Sequence, residues 1–472
     1  MNNVLIRPLE VSDAQISWTW RNDLEIWKYT GSRPDKYITY EIEDSWIKRI
    51  LDQHDAVRFA ILVNDLYVGN IQLTTITETD AEYHIFIGDR NYWGKGIATQ
   101  ATNQILRYAK NILHLKKVYL GVNPENISAI KAYEKCNFIK IDESVKMEVD
   151  LLKDFVPVVS VFMMVYNHEN FLAEALDGIL MQKCNFDFEI VVGEDCSKDK
   201  SRKILIDYAA KFPGKFKLLL PEENIGANRN QQLVLENCTG KYIAMCEGDD
   251  YWTDPFKLQK QVDILEADPS LAICFHATDI VYDNNIEPFI EDINKDTPEI
   301  TTIYDLIKGN YIHTPSVLFR NMYKYPDWFL TTYPGDWPMH VITSTLGKVK
   351  FLPESMAAYR VHYGGVHSTS NDRKVEFSLK TFENIYQEMY KRGLTDIGEY
   401  AEREYNNAYA TFYGLRNGVY KSFSRIEKSK LLLRKGNKSL KTLFWVPLIF
   451  NGQSFRIYDN LLQLNKFLKK RH

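Results

Sequence analysis

The sequence has few cysteines and no cysteine pattern that would bind a structural metal. Six cysteines are scattered along 472 residues, and no two of them form a CxxC pair. This arrangement argues against a structural zinc site and against a disulfide framework. It is typical of a protein that works in a reducing cytoplasm.

Long apolar runs and a strong net charge are also missing. The first residues, "MNNVLIRPLEVSD", do not show the basic-then-apolar order of a signal peptide. No stretch approaches about 18 uncharged apolar residues, so we expect no membrane span. The net charge of −4 is nearly neutral for this length and does not indicate nucleic acid as a partner. What remains is a globular, cytoplasmic chain of about two or three domains.

Residues 1–150 alternate between short strand-like and helix-like segments. The segment "RFAILVNDLYVGNIQLTTI" predicts a β-hairpin whose turn contains Asn64 and Asp65. The segments "AEYHIFIG" and "KKVYLGVN" are typical of strands, whereas "QATNQILRYAKNIL" and "NISAIKAYEKCN" have helical spacing. We therefore predict a mixed α+β domain over 1–150, followed by a linker that ends at Pro157.

A glycine-containing turn, "RNYWGKGIA", stands between the strand "AEYHIFIG" and the helix that follows it. Glycines at a strand-to-helix turn let backbone amides approach a phosphate, and the helix N-terminus adds a positive field. Together with "NPENISAIKAYEKCNF", this pattern resembles the GCN5-related N-acetyltransferase (GNAT) family over nearly all of 1–150. The opening "LIRPLEVSD" resembles the branch of that family that acts on protein N-termini and amino sugars.

The resemblance to GNAT enzymes implies acetyl-CoA as the cofactor. It implies cofactor-binding roles for Arg90, Tyr92, Gly94, Lys95, Gly96, Ile97, Ala98 and Asn126. Tyr133 matches the usual acid for the leaving thiolate, although it could instead be a packed aromatic side chain. The base that takes the proton of the amine would be Glu82, or His84 on the same face of the strand.

From residue 158 onward, continuous apolar strands alternate with helices. The strand "VVSVFMMVYN" is followed by helix, strand, helix, strand, helix and the strand "KYIAMCEGD". This alternation predicts a three-layer α/β sheet, whose ligands bind at the carboxyl ends of the strands. The polar clusters "YNHEN", "GEDCSKDKS" and "EGDDYW" each follow an apolar strand, so we expect the site at that edge.

Three acids follow the last of these strands in "CEGDDYW" (Glu247, Asp249 and Asp250). Carboxylates that are close together and partly buried need a cation among them. Magnesium or manganese is the simplest choice, because both prefer carboxylate oxygens and leave positions open for phosphate. The alternative is a helix cap, but Asp254 stands in the capping position and the three acids lie too early.

Residues 157–375 resemble an inverting family 2 glycosyltransferase with the GT-A fold. The family's DDGS-like and DxD motifs correspond here to "EDCS" (194–197) and "EGD" (247–249), each with Glu for Asp. The resemblance implies a nucleotide-diphosphosugar donor, UDP- or dTDP-linked, held by side chains of several segments. By position, Tyr166 would stack on the nucleobase, and Asp195 would accept a hydrogen bond from its imide N–H. Arg229 would hold the nucleotide, Glu247 would face the ribose, and Asp249 would ligate the metal.

An inverting transferase also needs a base to deprotonate the acceptor hydroxyl. The resemblance implies Asp336 in "YPGDWPMH", at a predicted helix start, where a plain N-cap is the alternative. The segment "YRVHYGGVH" offers His362 and His367 as the histidine that completes the metal site, and His362 fits the family's spacing better.

The C-terminal region, 376–472, is predicted to be mainly helical and basic. From Lys421 onward it contains thirteen Lys and Arg residues against two acids, Glu427 and Asp459. Such a segment would suit peripheral contact with the inner face of a membrane, where lipid-linked glycan acceptors are found. The alternative is a solvated helical surface.

These patterns together predict an enzyme with two activities. The first would N-acetylate an amino sugar, and the second would transfer a sugar to a glycan acceptor during bacterial surface polysaccharide or glycoprotein synthesis. Two alternatives remain for the first domain: a CoA-binding module without catalysis, or an enzyme that acetylates a protein amine.

Overall fold

The computed structural model describes residues 2–29, 34–141, 146–151, 157–283, 297–322, 324–331, 335–362 and 372–416. His367 and the basic segment from Lys421 lie outside the described residues. The chain divides into two compact units. The first comprises Met1–Asn224, Asn237–Ala244 and Asp254–Lys260, and the second Ile225–Glu236, Met245–Thr253 and Gln261–His472.

The N-terminal part of the first unit is the predicted mixed α+β domain. Its elements are β1 (Val4–Pro8), α1 (Ala14–Trp20), α2 (Tyr40–Leu51), β2 (Val57–Val63), β3 (Leu66–Thr74), β4 (Asp80–Ile87), α3 (Ile97–Asn111), β5 (Lys117–Gly121), α4 (Ile127–Glu134), β6 (Ile139–Lys140) and β7 (Lys146–Asp150). The strand order is β1-β2-β3-β4-β5-β7-β6. The predicted turn between β2 and β3 is confirmed, with φ of 49° at Asn64 and 65° at Asp65.

Strands β4 and β5 are parallel and part from each other halfway along β4. Their described pairing ends where Glu82 meets Tyr119. On its other side β4 continues to pair with β3 as far as Ile87. The edge of β4 beyond Glu82 therefore opens toward the turn that precedes α3.

The remainder of the first unit begins the predicted strand–helix alternation. It contains β8 (Val159–Val165), α5 (Leu172–Leu180), β9 (Phe188–Glu194), α6 (Ser201–Lys211) and β10 (Phe216–Leu219). After α7 (Ala227–Asn237) the chain returns as β11 (Tyr242–Met245). The strand order is β10-β9-β8-β11, and β9 is parallel to both β8 and β10. Every residue of β9 is buried, as is typical of a central parallel strand.

The second unit contains a further group of strands and the C-terminal helices. Apart from the first residues of α8, which belong to the first unit, its later elements are β12 (Tyr251–Trp252), α8 (Lys257–Ala267), β13 (Leu271–Tyr282), β14 (Ile300–Thr301), α9 (Ile303–Ile307), β15 (Leu318–Arg320), α10 (Asp336–Thr343), β16 (Lys348–Val361), α11 (Asp372–Lys391) and α12 (Thr395–Arg416). The strand order is β15-β13-β16-β12, with β14 paired to β16. Among the described residues, no helix is long and apolar enough to cross a membrane.

Within the first unit, α3 packs closely on the segment that surrounds β9 and β10. A Cβ atom at Gly214 would lie 1.8 Å from the backbone oxygen of Gln104 on α3, and Gly214 has a φ of +71°. Gln100 Nε2 donates to the carbonyl of Cys184 at 3.3 Å. Asn3 Nδ2 donates to the carbonyl of Leu180 at 2.6 Å. The mixed α+β domain is therefore docked on the strand–helix region that follows it.

Candidate functional sites

The glycine turn before α3 has the backbone conformation that its sequence predicts. Gly94 has a φ of +70° and Gly96 a φ of +76°, and a Cβ atom at either position would meet nothing within 4 Å. Gly96 is the N-cap of α3, which starts at Ile97. The first amides of a helix have no partner within the helix, so this open turn can bind a phosphate group.

Several neighbouring residues that were assigned to the cofactor make contacts within the protein. Arg90 Nε lies 3.0 Å from Asp23 Oδ2 in a partly exposed ion pair. Lys95 Nζ lies 5.6 Å from the ring centroid of Tyr92. The side chain of Asn126 caps α4 by accepting from the N–H of Ala129 at 3.1 Å. These contacts give each residue a structural role beside its predicted one.

The two predicted acetyl-transfer residues lie on opposite faces of β4. Glu82 and His84 are partly exposed on one face, with His84 Nε2 3.6 Å from Glu82 Oε2. Tyr133 packs on the other face, where its ring meets that of Tyr83 edge-on at 5.8 Å. Burial raises the pKa of Tyr133 to about 12, which keeps its hydroxyl protonated and able to donate.

In the strand–helix part of the first unit, two loops at the strand ends are joined by reciprocal hydrogen bonds. The N–H of Asn167 donates to Ser197 Oγ at 2.9 Å, and the N–H of Lys198 donates to Asn167 Oδ1 at 2.8 Å. Next to these loops, Tyr166 is exposed and Asp195 is buried; the N–H of Asp195 donates to the carbonyl of Val165 at 3.0 Å. The two predicted nucleobase contacts therefore follow adjacent strands.

Glu194, the first residue of "EDCS", has a structural role. Its side chain is fully buried and forms an ion pair with Arg202. It also accepts from the N–H of Ser197 at 2.6 Å. A glutamate at this position therefore holds the loop in shape. It carries the same charge as the aspartate that the family usually has there.

In the second unit, the acidic turn between β11 and β12 is held by the end of β16. Asp250 is 2% exposed, and its Oδ1 accepts from the N–H of Arg360 at 2.8 Å. Arg360 Nε donates to the carbonyl of Asp249 at 2.8 Å. His362 Nε2 lies 3.0 Å from Asp249 Oδ2, so the two predicted metal ligands are brought together. Arg360 was not assigned a role from the sequence, although it stands two residues before His362 in "YRVH".

The carboxyl groups of this turn are close enough to oppose each other's ionisation. Burial, with the nearby charges of Asp249 and Asp336, raises the pKa of Glu247 to about 8. Burial and the charge of Asp249 raise the pKa of Asp250 well above its usual range. A cation would relieve this repulsion.

The residues at this turn are compatible with a divalent cation. Asp249 and His362 supply one carboxylate and one imidazole. Within the described ranges, no group of three or more His, Cys, Asp or Glu side chains is arranged to hold a metal ion. Magnesium and manganese are often bound by one or two protein side chains, with phosphates and water in the other positions.

Asp336 lies at the start of a helix, as predicted, and both of its carboxylate oxygens are hydrogen-bonded. Oδ1 accepts from the N–H of Trp337 at 2.8 Å, and Oδ2 accepts from Asn310 Nδ2 at 3.0 Å. Burial raises the pKa of Asp336, and the hydrogen bonds act against this effect.

Arg229, the predicted nucleotide contact, is exposed in the first turn of α7.

Two family models match separate parts of the chain. Residues 3–139 match the description "Acetyltransferase (GNAT) domain", and residues 160–325 match "Glycosyl transferase family 2". The chain therefore has an N-terminal GNAT acetyltransferase domain followed by a glycosyltransferase family 2 domain.

Individual relatives match one part of the chain or the other. The spermidine N(1)-acetyltransferase of Escherichia coli is 32% identical over 139 residues, which is 29% of this chain and 73% of that protein. An uncharacterised protein of Mycobacterium tuberculosis is 37% identical over 221 residues, or 46% of this chain. The match spans 62% of the mycobacterial protein's length. The crystal structure of Staphylococcus aureus TarS 1–349 with UDP-GlcNAc is 18% identical with a TM-score of 0.43, and covers 60% of this chain and 79% of that one.

Proposed function

We propose that the chain is a bifunctional enzyme. Its first activity is acetyl-CoA-dependent N-acetylation of an amino sugar, preferably one carried on a nucleotide. Its second is metal-dependent, inverting transfer of a sugar from a nucleotide-diphosphosugar to a glycan or lipid-linked glycan. The observation that carries this proposal is the contact between Asp249 and His362 beside two further carboxyl groups, in a domain of the family 2 class. We place the domains at 1–150, 157–375 and 376–472.

For acetyl transfer, the turn at Gly94 and Gly96 binds the pyrophosphate of acetyl-CoA through backbone amides. Glu82 accepts the proton of the attacking amine, directly or through water, with His84 as its partner on the same strand face. Tyr133 donates a proton to the departing thiolate, which its raised pKa permits. The amine nitrogen thus forms the new amide bond while the carbon–sulfur bond breaks.

For sugar transfer, Tyr166 and Asp195 contact the nucleobase, and Arg229 and Glu247 contact the rest of the nucleotide. Asp336 accepts the proton of the acceptor hydroxyl as that oxygen attacks the anomeric carbon. Its raised pKa brings it closer to neutral pH, where a general base is most effective. The nucleoside diphosphate then leaves from the opposite side of the sugar.

A divalent cation would be held by Asp249 and His362. When bound, it supplies positive charge that stabilises the developing charge of the leaving diphosphate. Asp250 keeps this turn in place through Arg360 and needs no contact with the substrate.

A panel of thermal-unfolding measurements tests the donor and the cofactor. We expect UDP- or dTDP-linked sugars with manganese to raise the midpoint of thermal unfolding, and acetyl-CoA to raise it independently.

The acceptor amine is tested with radiolabelled acetyl-CoA and a panel of amino sugars, peptides and polyamines. Polyamines are included because the relative from E. coli is named for spermidine. Acetylation of peptides alone would favour a protein substrate. Binding of acetyl-CoA without turnover would favour a regulatory module.

A further inference from the structure

Asn310 joins the side chains of Asp336 and His340 in the second unit. Asn310 Nδ2 donates to Asp336 Oδ2 at 3.0 Å, and Asn310 Oδ1 lies 3.3 Å from His340 Nδ1. Asp336 and His340 stand four residues apart on α10, so they lie on one face of the helix. We propose that Asn310 and His340 are positioning residues that hold the carboxylate of Asp336 in the orientation needed to accept a proton. This proposal rests on the proposed role of Asp336 as the base.

The orientation of the Asn310 amide decides whether it supports a carboxylate. Its nitrogen end donates to a negative charge, whereas its oxygen end would repel it. Two donors hold the oxygen end away from Asp336. The N–H of Ile312 donates to Asn310 Oδ1 at 3.2 Å, and the second donor is the ring of His340.

His340 can act as this second donor because it is fully buried and neutral. Burial lowers the pKa of His340 to about 3, so the ring carries a single N–H at neutral pH. Nε2 of His340 has no hydrogen-bond partner among the described residues. An unsatisfied acceptor is less costly than an unsatisfied donor, which assigns the proton to Nδ1, facing Asn310.

The resulting chain of hydrogen bonds acts on the protonation of Asp336. A donor to the ionised carboxylate lowers its pKa, against the effect of burial. The titratable groups that interact with Asp336 from other elements are Glu247, before β12, and Tyr359 on β16. Both are acids, so neither favours a second negative charge on Asp336. Among the described side chains, Asn310 is the one that favours the ionised form of Asp336.

The first test compares three variants by the pH dependence of kcat. Asn310→Leu removes the donor with little change of volume; we expect kcat to fall about tenfold to a hundredfold with the donor KM unchanged. The acid limb of the profile should move to higher pH.

His340→Phe should move the acid limb in the same direction, but more weakly. His340→Asn should keep the wild-type limb, because its amide nitrogen takes the place of Nδ1 and can donate to Asn310. Asn384→Leu, at a buried asparagine of α11, is the matched control and should change neither quantity.

A second test needs no turnover. The protein is labelled with carbon-13 at the aspartate carboxyl carbons, and the Asp336 signal is assigned by its loss in Asp336→Asn. Its titration midpoint should rise in Asn310→Leu, and it should lie closer to the wild-type value in His340→Asn than in His340→Phe. An unchanged midpoint in Asn310→Leu would overturn the positioning role. Full transfer by Asp336→Asn, measured with the UDP- or dTDP-linked sugar chosen in the panel, would instead overturn the proposed base.

Discussion

Arg107 and Asp187 form a buried ion pair between the acetyltransferase domain and the glycosyltransferase domain. Arg107 Nη2 donates to Asp187 Oδ1 at 3.0 Å, and Nη1 donates to Oδ2. The side chains are 4% and 7% exposed, so both charges are withdrawn from water. Arg107 Nε also donates to the carbonyl of Gly214 at 2.7 Å. Arg107 lies on α3, the helix whose first turn is the proposed phosphate site, and Asp187 directly precedes β9.

Breaking this pair should be costly, because it leaves a charge buried. We expect Arg107→Met to lower the free energy of unfolding by about 3 kcal/mol, at the low end for a broken buried pair, since Lys215 Nζ still lies 3.9 Å from Asp187. The double variant Arg107→Met/Asp187→Asn should recover part of the loss. Urea unfolding measures each value.

The matched control is the exposed pair of Lys203 and Asp207 on α6. Asp207→Asn should change stability by less than about 1 kcal/mol. An equal loss in both cases, or a double variant no more stable than Arg107→Met alone, would show that the buried pair does not fasten the two domains.

The glycine turn offers a second prediction. The space around Gly96 is open, so Gly96→Val should be tolerated sterically and strained only by its positive φ. The valine side chain would nevertheless occupy the space through which a pyrophosphate approaches. Titration of acetyl-CoA should therefore show at least about tenfold weaker binding, while sugar transfer to a ready-made acceptor continues.

Gly393 is a control with the same backbone strain. It has a φ of +72°, and a Cβ atom there would also meet nothing within 4 Å. Gly393→Val should cost similar stability and leave acetyl-CoA binding unchanged. If both valine variants weaken acetyl-CoA equally, the effect comes from strain, and the phosphate assignment fails.

The acidic turn predicts dependence on a divalent cation. Asp249→Ala should abolish sugar transfer and the stabilisation by manganese, while acetyl-CoA still raises the unfolding midpoint. Asp250→Ala should instead lower stability, because it removes the acceptor for the backbone N–H of Arg360, and should retain a response to manganese. Unchanged transfer in excess chelator would contradict the metal proposal.

Asp336→Asn should lower kcat at least about a hundredfold with little change in donor affinity, in line with the contribution of a general base. The base acts only when ionised. Because its pKa is raised in the folded protein, kcat should fall on acidification at a higher pH than for an ordinary aspartate. A collapse of donor binding in this variant would show that Asp336 holds the substrate or the fold instead.

The sequence alone was sufficient where local pattern determines structure. Apolar strands followed by polar clusters predicted β8, β9 and β11 and the loops at their ends, because buried parallel strands need uniformly apolar residues. Gly94 and Gly96 predicted an open turn because few other residues adopt positive φ. The start of α10 at Asp336 followed from the glycine before it and the helical spacing after it.

Tertiary structure alone decided which distant side chains meet. Nothing in "KGNYIHTPS" marks Asn310 as a partner of Asp336, although the spacing of His340 from Asp336 could have been noticed as one helical turn. The pairing of Arg107 with Asp187 joins residues 80 positions apart. Asp250 and Glu194 became structural acids because each is buried and found a partner, Arg360 and Arg202 respectively. Local sequence determines backbone conformation and burial, but the partner of a buried charge depends on how separate segments pack, which no local pattern records.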